Sequence, residues 1–97
     1  MPNAATETLM LAIAQLLPPQ RNPAWGASAQ DMAVDLDMED ATERERLSKT
    51  IRKMVDSGLV ASVHLTNEKP AIQYYLYRSV YDHFVAHGTL PGVKAHA

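Results

Sequence analysis

The spacing of apolar residues changes at Gly58, and that change limits what the chain can fold into more than any other feature. Before it, Leu47, Ile51, Met54 and Val55 recur at the spacing of one helical face. Beyond it, Val60, Val63 and Leu65 form one run and Ile72, Tyr74, Tyr75, Leu76 and Tyr77 a second, both rich in β-branched and aromatic side chains and close to a period of two. Thr66-Asn67-Glu68-Lys69-Pro70 between them is polar turn chemistry, so the two runs read as a hairpin. A glycine at the change of period suits a left-handed helix cap. The expected fold is therefore α+β and mainly helical, with a β-hairpin after its longest helix.

The helices before Gly58 follow from caps and stripes. Leu9, Met10, Ile13, Leu16 and Leu17 give helix one, with Thr6 as its cap and Pro18 and Pro19 as its stop. Gln20 to Gly26 reads as an irregular connection, with Trp25 plugging the edge of the core. Ser28 with Asp31 opens helix two, over roughly residues 29 to 36, and Ala29, Met32, Ala33 and Leu36 make its stripe. Two overlapping capping pairs, Asp40 with Glu43 and Thr42 with Glu45, open helix three at about residues 41 to 57. Ser79 with Asp82 repeats the pattern before Tyr81, Phe84 and Val85, and Gly88 and Pro91 close this last helix. One domain is expected over residues 1–91, followed by a flexible tail over 92–97.

Composition excludes several classes of protein. The chain has 97 residues, enough for one core, and no cysteine, which removes disulfides, thiolate metal sites and cysteine nucleophiles. The longest apolar stretch, Leu9 to Leu17, is broken by Gln15 and stopped by prolines, so neither a membrane span nor an export signal is expected. A cytoplasmic location is the default. No nucleophile elbow, phosphate loop or metalloprotease helix appears, and the serines at 28, 48, 57, 62 and 79 have cap, turn or surface explanations, so neither an enzyme nor a cofactor is expected.

Net charge is −2, but its distribution matters more than its sum. Residues 1 to 40 hold one basic side chain against six acidic, a balance of −5, and residues 41 to 97 hold eight against five, a balance of +3. Between Arg44 and Lys53 five basic residues face one acidic. Any anion-binding surface belongs there.

The order helix, helix, helix, hairpin, helix resembles the winged helix-turn-helix superfamily of transcriptional regulators. The segment Leu47-Ser48-Lys49-Thr50-Ile51-Arg52-Lys53-Met54-Val55-Asp56-Ser57-Gly58-Leu59-Val60 looks like that family's exit from its second motif helix into the first wing strand. The likeness covers roughly residues 28 to 77. It implies a winged helix, that is, a three-helix bundle with a β-hairpin wing and a C-terminal helix, in which helix three is the recognition helix of a sequence-specific DNA-binding regulator. The chain departs from the family in two places. From Leu36 to Leu47 the spacing is about a helical turn longer than in compact members, and the wing tip carries only Lys69, beside Glu68.

The helical wheel then selects residues. With Ile51 as zero, Leu47, Met54 and Val55 fall within about 60° and face inward, while Arg46, Lys49 and Lys53 fall roughly 140° to 160° away and Arg52 at about 100°. Arg44 falls about 20° from Ile51, where it snorkels or pairs with a local acid. The candidate DNA contacts are Arg46, Ser48, Lys49, Arg52 and Lys53, with Lys69 from the wing and Thr50 as a lesser contact. Tyr81, Phe84 and Val85 are the candidate homodimer interface, and two-fold pairing would set half-sites about one duplex turn apart.

Other readings compete with DNA. Asp35, Asp37, Glu39 and Asp40 crowd the turn beside the candidate face, where they would either pair with Arg44, Arg46 or Arg52 or receive a basic protein. The alternative is thus a winged-helix protein-protein interaction module without DNA binding. His83 and His87 lie four apart on the last helix, but two imidazoles without a third ligand give no metal site. Tyr74, Tyr75, Tyr77 and Tyr81 could stack bases, yet alternation sends them to opposite faces and favours packing.

Overall fold

Each boundary in the structure, a computed structural model describing residues 4–20, 26–65 and 72–93, has a local chemical cause. The elements are α1 (Ala4–Leu16), α2 (Ala29–Asp35), α3 (Ala41–Asp56), β1 (Val60–His64), β2 (Ile72–Leu76) and α4 (Arg78–His87). The fold of the described residues is thus α+β and mainly helical, with four helices and a two-stranded antiparallel hairpin.

The starts of α2 and α3 hold as read, and those of α1 and α4 shift. Ser28 closes a full capping box with Asp31, its Oγ accepting from the Asp31 amide at 3.1 Å. Asp40 caps α3, accepting from the Glu43 amide at 2.8 Å. Thr42 therefore lies inside α3 rather than capping it, and Thr6 lies inside α1, which already begins at Ala4. Ser79 does not cap α4. Strand β2 runs almost directly into that helix, Tyr77 occupies the cap position without a side-chain bond, and the Arg78 amide finds Gln20 Oε1 at 3.4 Å instead.

Helices α2 and α3 both stop in Schellman turns. After α3, Gly58 adopts φ 78°, its amide donates to the Val55 carbonyl at 3.1 Å, and the Leu59 amide donates to the Met54 carbonyl at 3.0 Å. After α2 the same two bonds recur, from Asp37 to Val34 at 3.1 Å and from Met38 to Ala33 at 2.8 Å, with Asp37 at φ 54°. The chain then needs Met38, Glu39 and Asp40 to reach α3. Residues 36–40 thus join α2 to α3, whose first buried residue, Leu47, is the seventh of that helix.

The hairpin pairs Val60 with Leu76, through Ser62 with Tyr74, to His64 with Ile72. Its tip, including Lys69, and Trp25 in the earlier connection lie outside the described residues. Of the Gln20–Gly26 connection only Gln20 and Gly26 are described, and neither belongs to a helix or strand, but the residues on either side of it pair with β2. Pro19 bridges Leu76 and Ala27 bridges Tyr74, so the far edge of β2 is paired as well. The prolines cannot donate, and the ladder uses them only as acceptors: the Leu76 amide donates to Pro18 at 2.9 Å, and Gln20 supplies the return bond to Leu76 at 2.7 Å.

The core sits where α1, α2 and the inner face of α3 meet β1 and β2, and it contains Ile13, Met32, Leu47, Ile51, Met54, Val60 and Leu76. Leu90 and Val93 fold back into it, so ordered packing continues past residue 91 to at least Val93, and residues 94–97 lie outside the description. No helix among the described residues is long and apolar enough to cross a membrane.

Candidate nucleic-acid interface

Helix α3 divides as its periodicity requires. Leu47, Thr50, Ile51 and Met54 are buried, and Arg46, Ser48, Lys49, Arg52 and Lys53 are exposed. Five of the six candidate DNA contacts therefore lie on the outer surface of one helix, and the sixth, Lys69, is outside the described residues. Thr50 is not a surface residue. It is 4% exposed, and its hydroxyl donates to the Arg46 carbonyl at 2.8 Å, so it is occupied within the helix.

The exposed residues separate onto two flanks. On the side toward α1, a cleft of about 310 Å³ is walled by Thr6, Thr42, Glu45, Arg46, Lys49 and Lys53. Arg46 is held there from across the cleft, its Nη2 donating to the Ala5 carbonyl at 3.3 Å. Lys49 pairs with Glu45 one turn earlier at 3.4 Å, both side chains about 70% exposed (72% and 67%), which makes a solvent-screened contact of small energy. The side chains of Lys53 and Arg52 have no ion-pair or hydrogen-bond partner among the described residues. On the side toward the hairpin, Ser48 and Arg52 edge a groove of about 350 Å³ whose other walls include Val55, Ser62, Ile72 and Tyr74.

Arg44 is exposed, and its Nε donates to the Met38 carbonyl at 3.1 Å. It pairs with no acid among the described residues, and it lies beside Ala33 and Leu47 at the edge of the core. The turn between α2 and α3 brings the Met38 carbonyl within reach, and that carbonyl takes the guanidinium. The acids Asp35, Asp37, Glu39 and Asp40 are exposed around the same turn, and no ion pair joins them to Arg44, Arg46 or Arg52.

Sequence reasoning overlooked the contribution of α1 to this surface. Thr6 and the Ala5 carbonyl lie beside Arg46, about forty positions away in the chain, and no local spacing signals that approach.

The remaining candidates scatter. Tyr81 and Phe84 are half-buried and pack on the core, whereas Val85 is 67% exposed. Tyr75 and Tyr77 make an edge-to-face pair with centroids 6.4 Å apart, while Tyr74 packs inward, so the tyrosines do not form one stacking platform. The His83 and His87 rings lie 4.6 Å apart, and no cluster of three metal-ligating side chains occurs among the described residues. No family model, no curated protein and no solved structure matches this chain.

Proposed function

We propose that this chain is a winged-helix DNA-binding regulator of transcription, with α3 as its recognition helix and the β1–β2 hairpin as its wing. One observation carries the reading: Arg46, Lys49, Arg52 and Lys53 are all solvent-exposed on a helix whose opposite face is locked into the core by Leu47, Ile51 and Met54. A rigidly seated helix about 10–12 Å across fits a B-DNA major groove, where lysine and arginine displace condensed counterions and arginine can fork onto guanine. The protein acts by occupying its site. It does so as a homodimer through the α4 surface that carries Val85, so that its operator has two half-sites about one duplex turn apart.

A second reading has its own observation. Val34 is 64% exposed on α2 amid Asp31, Asp35 and Asp37, an apolar residue ringed by acids of the kind that docks a basic protein segment. On that reading the same scaffold is a protein-interaction module.

Gel shifts with fragmented genomic DNA separate the two. Retarded complexes that vanish for the Arg46→Ala, Lys49→Ala double variant support the first reading. Undiminished binding by that variant discredits α3 as the contact face. Absence of binding at low salt, together with co-purification of a stoichiometric protein lost on Val34→Asp, establishes the second.

A further inference from the structure

Resting on the DNA-binding reading, we infer that the two flanks of α3 divide the work: the cleft toward α1 holds the sugar-phosphate backbone through Arg46, Lys49 and Lys53, and Ser48 and Arg52 on the hairpin flank meet base edges.

Charge separates the flanks first. The α1 cleft gathers three cations against Glu45 alone, and it adds the hydroxyl of the exposed Thr42. Phosphate oxygens accept from such donors without regard to sequence. The hairpin groove offers a single cation, Arg52, among Val55, Ile72 and Tyr74. That mixture suits base edges, where one forked donor and apolar contact with a thymine methyl discriminate between pairs.

Shape and preorganisation point the same way. A phosphodiester strand is a charged ridge, and the α1 flank is concave. The bond from Arg46 Nη2 to the Ala5 carbonyl seats the guanidinium at the cleft wall, and its other N–H donors, with no partner among the described residues, are available to phosphate oxygens. The acids at the turn before α3, Asp37, Glu39 and Asp40, repel a phosphate strand from the start of α3 and direct it toward Lys49 and Lys53.

Glu45 makes the assignment testable by gain as well as loss. Its carboxylate occupies Lys49 and adds the one negative charge to the cleft. Glu45→Gln frees the ammonium and removes the like charge, so duplex affinity rises several-fold at low salt.

The experiment titrates the full chain into a labelled short duplex of random sequence, by fluorescence anisotropy, between about 50 and 200 mM salt. Lys49→Ala and Lys53→Ala are expected each to lower the slope of log K against log salt by about one, to weaken all sequences alike, and to leave the melting temperature unchanged. Arg52→Ala is expected to change which members of a random pool are enriched. Tighter binding by Glu45→Gln supports the cleft, and it cannot arise from damaged folding. A wild-type chain that binds with a salt slope that both lysine variants and Glu45→Gln leave intact overturns the division of flanks while DNA binding stands. A wild-type chain that binds no duplex at the lowest salt overturns both.

Discussion

Arg46 and Ala5 are 41 positions apart in the chain, and a single hydrogen bond of 3.3 Å from the Arg46 Nη2 to the Ala5 carbonyl joins the outer surface of α3 to the first turn of α1. The rest of α1 is held by Leu9, Met10 and Ile13, all buried, so the bond governs only the local order of the helix start. Arg46→Ala should therefore leave global stability within about 1 kcal/mol, because the lost contact is exposed and water replaces it. Native-state hydrogen exchange should still report the change, as faster exchange of the amides at Thr8 and Leu9 with the α3 amides unaltered. Uniform acceleration across both helices would mean that Arg46 supports the core rather than the helix start.

Gly26 and Gly58 are both required, for different reasons. A Cβ on Gly26 would run into the backbone of Tyr74, which is hydrogen-bonded in both directions to Ala27. Gly58 has open space around it and a φ of 78° that an L-residue resists. Gly58→Ala should cost about 1 kcal/mol by strain alone and preserve the fold. Gly26→Ala should cost more, about 2 kcal/mol or above, because it separates the connection from β2 and takes the Gln73 carboxamide's bond to the Gly26 amide with it. Urea denaturation of the two variants orders these costs, and a larger loss at Gly58 would contradict the contact at Gly26.

Asp37 sits at φ 54° in the Schellman turn of α2, the position that Gly58 fills after α3. Aspartate tolerates the left-handed region better than most residues, yet it also sets a negative charge at the negative end of a helix dipole. Asp37→Gly removes both penalties and loses a little to the greater freedom of the unfolded chain. A net gain of roughly 0.5 kcal/mol is expected from a thermal melt. A loss would show that the Asp37 side chain stabilises the turn in a way that its exposure does not suggest.

The fold was legible wherever a local rule acted alone. The period change at Gly58, the Ser28 capping box and the inward stripe of α3 each depend on residues within a few positions of one another, and each appears where the sequence puts it. Misreadings gather where distant segments supply what a local group lacks. Ser79 was the natural cap of α4 until Gln20, 58 positions before Arg78, answered the open amide. The pairing of Pro19 and Ala27 with β2, on either side of the connection, has no local signal because Leu76 and Tyr74 lie far along the chain. Gln73 has no part in the apolar run that marks β2, yet it is buried, and its carboxamide oxygen accepts from the Gly26 amide. The exposed basic set of α3 was legible from the wheel, whereas its separation into two flanks required the positions of α1 and the hairpin.

Val85 gives the oligomeric prediction its clearest form. Of the three α4 residues expected at a two-fold contact, Tyr81 and Phe84 are already half-covered by the core, and truncating either would confuse association with folding. Val85 is 67% exposed and can be changed without opening the core. If α4 pairs two copies, burying Val85 against its symmetry mate contributes twice per dimer, and a carboxylate there would place two like charges at the centre of the contact. Val85→Asp should convert a dimer to a monomer in sedimentation while leaving the far-ultraviolet spectrum unchanged, and it should weaken binding to a two-half-site duplex at least tenfold while affecting an isolated half-site little. A wild-type chain that sediments as a monomer, or a Val85→Asp chain that remains dimeric, would move the contact away from α4.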